Sequence, residues 1–440
     1  MTHLTPRARL VRLTGLAVAV SLLTSACAGA EGSGDAAPTE ADDGPVTITF
    51  MSWLRNSEAV VEAFNSSQDG IIVEFQTTPS AADNYTTLAN SSRAGTAPDV
   101  ATVEYPYLPD VLAQGLLQPL SEEAADQVAE EFPDAARNLV ELGGETWSYP
   151  LDLAAWVMYY RADLFEEHGI DVPTTWEEYE QVARQIKDID PEARIGATTA
   201  NDPGSLASIN WQAGAQWYSA DGDAWTVDID NEVTRQVAEM QQRFVDEDLV
   251  WVGEGELLGQ RQAAGQTWTT LAGSWNGGYL PVNFEDQAGL WRVALPPSFT
   301  GEPTSAGNGG ATFAVTADSE HQDAAEAFIA WMTTTEEGIA ARVAGGESSV
   351  LPANADLVGP ARDAFDTSFF GGQDIYAVAA EAAAAIPGEW TWGPAQSTMD
   401  TAFQDAIAQV NAGTTALPDI FAPVQETVVE SLNDRGIAVD

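Results

Sequence analysis

Fourteen tryptophans stand among the 440 residues, and their settings divide them. Trp156, Trp176 and Trp331 fall at strand or helical spacing with other apolar residues and read as core. Trp53, Trp217, Trp275, Trp390 and Trp392 lie in Gly-, Pro- or Ser-bearing stretches, several just beyond expected strands. An indole in such a place either packs or presents itself to a ligand. Its flat apolar face and single polar edge suit the C–H face and hydroxyl rim of a pyranose ring. Carboxylates complement it, because an ionised acid only accepts hydrogen bonds and so orients a hydroxyl donor. Of the 67 acidic residues most are solvated surface. Glu104, at an expected strand end, and Asp152, within an expected crossing strand, are better placed.

Other chemistry is thinly supplied. His168 and His321 are the histidines beyond the first few residues, both in helical, acid-rich surroundings, and no G-x-S-x-G or H-E-x-x-H occurs. Serine, cysteine and zinc catalysis are disfavoured, and without a Gly-rich phosphate loop the chain is not an ATPase. Paired carboxylates of a glycoside hydrolase stay open, because acid pairs are everywhere. Asp221-Gly-Asp223 starts like a calcium loop, but Trp225 occupies the third acidic position, so a plain turn is the reading. No cofactor and no metal are expected.

The elements that must position these groups are visible as periodicities. Val46–Phe50, Ile71–Phe75 and Pro98–Val103 read as strands separated by helices carrying Val60, Val61 and Phe64, then Tyr85, Leu88 and Ala89. Strands joined in this way are parallel with right-handed crossovers, and ligands bind beyond their carboxyl ends. That singles out Ser52–Asn56 and Glu104–Tyr107. Tyr149–Tyr160 is expected to run extended across a boundary. Thr174 or Thr175, with Glu177 or Glu178 three residues on, caps a helix that buries Trp176, Tyr179, Val182, Ala183 and Ile186. Asn201–Gly204 reads as a turn, and Leu271–Gly278 as a loop whose three glycines let the backbone approach a ligand around Trp275 and Asn276. Val293–Pro297 and Ser348–Pro352 read as two more crossings, Thr312–Val315 as a strand, and Asp323–Met332 as a helix turning Ala324, Phe328 and Trp331 inward.

A chain of this length exceeds one core, so two domains are expected. The formal charge of -50 repels phosphate backbones and anionic headgroups, so nucleic acid is not a partner. Residues 1–26 have the basic start, apolar run and small residues of a secretory signal. Cys27, the sole cysteine, follows them in the manner of a lipobox, although Thr24 stands where Leu is usual. Residues 27–45 form an acidic Gly/Pro-containing tether. The protein is thus expected to be a monomer on the extracellular face of the cell membrane, held only through a lipid anchor.

The order of crossing strand, YYRADLF helix and PTTWEEY helix resembles the family 1 extracellular solute-binding proteins of ABC importers, the group that includes the maltose-binding protein. AGTAPDVATVEY with LAQGLLQPL, LAGSWN, and AAEAFIAWMTTTEEG are similar to further family segments, and the resemblance spans roughly residues 46–430. It implies two doubly wound α/β lobes of the periplasmic-binding-protein type II kind, 46–151 plus 296–347 and 152–295 plus 348–440, joined by three crossings. It also implies a cleft lined by Trp53, Glu104, Tyr105, Trp275 and the region of Trp390 and Trp392; Asp152, Trp217 and Asn276 join the candidate list on their own placement. The implied function is capture of a neutral sugar or oligosaccharide and its delivery to a permease, without catalysis. Pro106 and Tyr107 stand where the maltose binder has charged ligands, so the resemblance does not point to maltodextrin. A polyamine or other cation as ligand, and a tethered glycoside hydrolase, are the alternatives.

Overall fold

The computed structural model describes residues 44–199, 203–222, 224–253, 255–388 and 390–440. The signal, Cys27, most of the tether, Asn201, Asp202 and Asp223 lie outside them. Residues from Pro45 onward form one compact unit.

Strands β1 (Val46–Ser52), β2 (Ile71–Thr77) and β3 (Val100–Glu104) alternate with helices α1 (Ser57–Ser67) and α2 (Ala81–Ala94), as the periodicity predicts. β1 lies between β2 and β3 and pairs parallel with both, so strand order reverses at β1. Ser80 caps α2 by accepting from the Asp83 N–H, and Gly95 closes it in the left-handed conformation. A short helix, Leu108–Ala113, follows β3, and Gly115 just beyond it takes φ 70.

Tyr149–Tyr160 is not one strand. β4 (Tyr149–Pro150) edges the first sheet and β5 (Trp156–Arg161) centres another, with Leu151–Ala155 irregular between them. Pro150 has no N–H to continue a ladder, which suits the edge position. Helix α3 (Trp176–Ile189) begins with a complete Thr175/Glu178 capping box and buries the five predicted residues. β6 (Thr269–Gly273) and β7 (Trp291–Ala294) flank β5, both antiparallel to it. The expected 271–278 loop is the end of β6 running into helix α4 (Asn276–Asn283). β8 (Ala311–Val315) then returns to the first sheet, antiparallel to β3 and β4, giving the order β2-β1-β3-β8-β4. Helices α5 (Gln322–Thr334) and α6 (Glu336–Val343) follow. α5 buries Ala325, Phe328, Ile329 and Met332, whereas Ala324 and Trp331 are only half-buried, so the predicted face is rotated by one residue. The C-terminal part is helical, chiefly α7 (Gln396–Asn411) and α8 (Phe421–Asp434).

The result is two α/β lobes joined by three crossing segments. The second crossing is not Val293–Pro297, whose first two residues belong to β7, but the segment around Ala306–Asn308 that leads into β8. The crossings lie side by side and are bonded to one another: Leu153 N–H donates to Leu351 O at 3.0 Å, Ala353 N–H to Leu151 O at 3.0 Å, Trp156 N–H to Ala306 O at 2.8 Å and Asn308 N–H to Ala154 O at 2.8 Å. One apolar core runs under the five-stranded sheet and on to Trp217, Phe403 and Phe421; a second gathers Trp156, Trp176, Tyr179, Ile186 and Phe244.

Candidate functional site

A cavity of about 480 Å³ opens beyond the carboxyl ends of β1 and β3, between those strand ends, the crossings, α4 and α7. This is where a doubly wound sheet presents its ligand site. Three indoles reach it. Trp53 follows β1 and meets Tyr85 edge-on at 5.9 Å, and Tyr85 in turn stacks on Tyr107 at 4.2 Å. Trp275 caps the start of α4, is 43% exposed, and is aimed by its Nε1–H, which donates to the Asn308 carbonyl at 2.8 Å. Trp392 also lines the cavity, set edge-on to Trp390 at 5.4 Å.

Acids alternate with these rings. Glu104 ends β3; its N–H donates to the Tyr85 hydroxyl at 3.0 Å, and that hydroxyl donates to Glu104 Oε2 at 3.2 Å. Burial pushes the Glu104 carboxyl up to about 7; the Tyr85 bond opposes this, and the charges of Asp400 and Asp152 reinforce it. Asp152, in the first crossing, accepts from the Ala311 N–H at 2.8 Å. Burial raises its carboxyl to about 6 against the pull of that N–H and of Arg342. Arg342, near the end of α6, is itself buried and lowered to about 10. Its Nη1 donates to Arg55 O at 3.0 Å and Ser57 Oγ at 2.9 Å. Asp400 on α7 accepts from the Tyr107 hydroxyl and, at 2.8 Å, from Gln396 Nε2. Gln396 Oε1 is buried without a partner on the same wall. Flat faces interleaved with acceptors and an amide can hold a ring that bears several hydroxyls. Among the described residues no His/Cys/Asp/Glu group is arranged to hold a metal.

The family described as bacterial extracellular solute-binding protein matches residues 54–339. The chain belongs to that family. This solute-binding protein is 29% identical over 266 residues to an arabinooligosaccharide-binding protein of Halalkalibacterium halodurans, a match covering 57% of each chain. The chain thus spans little more than half the length of that curated relative. Among solved structures it resembles the galacto-N-biose-/lacto-N-biose I-binding protein of the ABC transporter from Bifidobacterium longum, with a TM-score of 0.79 and 25% identity over 91% of this chain and 100% of the other. It also resembles an ABC transporter associated binding protein from B. animalis subsp. lactis solved with beta-1,6-galactobiose, with a TM-score of 0.78 and 23% identity over 90% and 100%. The family consists of binding proteins rather than enzymes.

Of the residues singled out in the solute-binding protein's sequence, Trp53, Glu104, Asp152, Trp275 and Trp392 line the cavity. The others do not. Tyr105 is buried beneath it, its hydroxyl donating to Asp152 O at 2.9 Å. Trp217 is fully buried, donates to Thr234 Oγ1 and stacks on Phe403 at 5.6 Å. Trp390 stacks on Trp211 at 5.3 Å behind Trp392. Asn276 is buried in the first turn of α4. The glycines beside it serve packing and not a ligand: a Cβ on Gly278 would stand 2.7 Å from Glu347 O, and one on Gly277 would stand 2.8 Å from Ser349 Oγ, both in the third crossing. Sequence reasoning missed Arg342, Asp400 and Gln396, which sit at ordinary helical positions and reach the cavity only through tertiary packing. Asn308-Gly309-Gly310 was findable, since paired glycines before a strand mark left-handed backbone, here at φ 77 and 92.

Proposed function

We propose that this solute-binding protein captures a neutral sugar or oligosaccharide in the cleft and hands it unchanged to the permease of an ABC importer. The observation that carries this reading is the cavity itself, where Trp53, Trp275 and Trp392 alternate with Glu104, Asp152 and Asp400. Its volume lies within the range of about 300–1,000 Å³ usual for small-molecule sites. The saccharide ligands named for the similar proteins support the same class. We assign the lobes to 46–151 plus 296–347 and 152–295 plus 348–440. Residues 1–26 act as a signal, Cys27 is acylated, and 27–45 tethers a monomer to the outer face of the membrane; no described helix is long and apolar enough to cross it. Calorimetry over mono- to tetrasaccharides, with product analysis after long incubation, tests the reading. One-to-one binding without product is expected; turnover of the sugar would make the protein a hydrolase.

One observation favours a cationic ligand as a second reading: Glu104, Asp152, Glu347 and Asp400 face the cavity, against Arg55 and Arg342. Competition by spermidine that weakens with salt supports it; indifference to spermidine removes it.

A further inference from the structure

Trp275 is not the only open side chain on α4. Tyr279 and Val282 stand one and two turns further along the same face, 38% and 53% exposed. Tyr279 lines the cavity with Trp275, whereas Val282 is not part of the lining. The Tyr279 ring is held in place. Phe284 meets it edge-on at 6.3 Å, and the Arg55 guanidinium lies 5.2 Å from its centroid while Arg55 Nη1 donates to Gly278 O at 3.3 Å. Arg55 follows β1 and also lines the cavity, so this pair forms where the segment after β1 meets α4.

The pair offers what the rest of the cleft offers. A phenol brings an apolar face and a hydroxyl that donates and accepts, and a guanidinium has further N–H donors for hydroxyl oxygens. Trp275 and Tyr279, four residues apart on a helical turn, have Cβ atoms about 5–6 Å apart, comparable to the length of one sugar unit. An apolar cavity of about 150 Å³ holds one benzene, so about 480 Å³ has room for more than one six-membered ring. A monosaccharide on Trp275 would leave Tyr279 and Arg55 in water. A chain that continues along α4 covers both.

We infer that the ligand of the cleft is an oligosaccharide, whose unit next to the one on Trp275 lies on Tyr279 and Arg55, so that Tyr279 selects for chain length. The inference rests on the cleft being a sugar site and goes further by setting the ligand at two units or more.

The test is calorimetry with glucose, galactose and arabinose and with their linear chains of two to four units, weak members being read by displacement of the tightest. The proteins are the parent, Tyr279→Ala, Tyr279→Trp and Val282→Ala. In the parent the tightest ligand is expected to be a chain, bound at least about threefold more tightly than its monosaccharide. Tyr279→Ala should lower that ratio about threefold or more, Tyr279→Trp should keep it, and Val282→Ala should leave it as in the parent. A displaced α4 would weaken every length alike, so the ratio separates a contact with the ligand from a structural role. A monosaccharide that binds as tightly as any chain would overturn the inference while the sugar reading stands. So would a ratio that survives Tyr279→Ala, or one that falls equally in Val282→Ala. A panel in which nothing binds removes the sugar reading itself and this inference with it.

Discussion

Trp275 is the most accessible of the three cleft indoles, and its Nε1–H is already spent on the Asn308 carbonyl. Its ring face is therefore what remains for a ligand, and removing it should cost binding and not folding. Trp275→Ala is expected to weaken sugar binding by about tenfold or more while moving the melting temperature little, since a side chain 43% exposed contributes little burial. Calorimetry and a thermal melt on one preparation check both halves. Glu104 makes a prediction in pH. Its carboxyl, raised from 4.5 to about 7 by burial, contributes stability that is complete below pH 4.5 and is lost as pH climbs through 7. Asp152, raised to about 6, contributes a similar loss lower in the range. Glu104→Gln should flatten the decline of ligand-free stability between about pH 4.5 and 7.5, a difference of at most about 3 kcal/mol. Melts across that range that keep the parent slope would count against the buried placement of Glu104.

Helix α4 depends on glycine for where it sits, not for how it turns. A Cβ at Gly278 would meet the Glu347 carbonyl at 2.7 Å, so Gly278→Ala must push α4 off the third crossing, at a cost of about 1–3 kcal/mol. Gly259, in helix Gly255–Ala263, has open space for 4 Å around the position a methyl would take, and Gly259→Ala should stabilise by about 0.5–1 kcal/mol. Opposite signs in chemical denaturation are the check. The pair also shows what local sequence can carry. The capping box of α3, the β-α alternation through β3 and the stripe of Trp176, Tyr179, Val182, Ala183 and Ile186 were legible, because each depends on neighbours within a few residues. Trp217 and Trp275 both stand in glycine-bearing stretches of the sequence. Phe403 and Phe421, far along the chain, bury the first, whereas the second stays 43% exposed. Arg342 gave no local signal either: its role comes from Arg55 O and Ser57 Oγ, nearly three hundred residues away.

Across the whole molecule, bonds span the cavity's far side. Tyr107 donates to Asp400, while Asp110 accepts from Ser397 at 2.8 Å and from Arg435 at 3.1 Å, joining the segment after β3 to the C-terminal helices. A ligand that binds a closed form of the lobes better than an open one draws the protein toward it, so a saccharide that binds should reduce the radius of gyration in small-angle scattering. A net charge of -50 repels itself, so raising NaCl from about 0.05 to about 0.5 M should raise the melting temperature; a fall would mean that the 17 basic residues contribute more through ion pairs than the acid excess costs. Sugar capture in the cleft is tested by calorimetric titration of mono- to tetrasaccharides into the parent protein and into Trp275→Ala. One-to-one binding of at least one neutral saccharide is expected, weakened by about tenfold in the variant. A panel in which none binds, or in which a binder is indifferent to the loss of that indole, would contradict it.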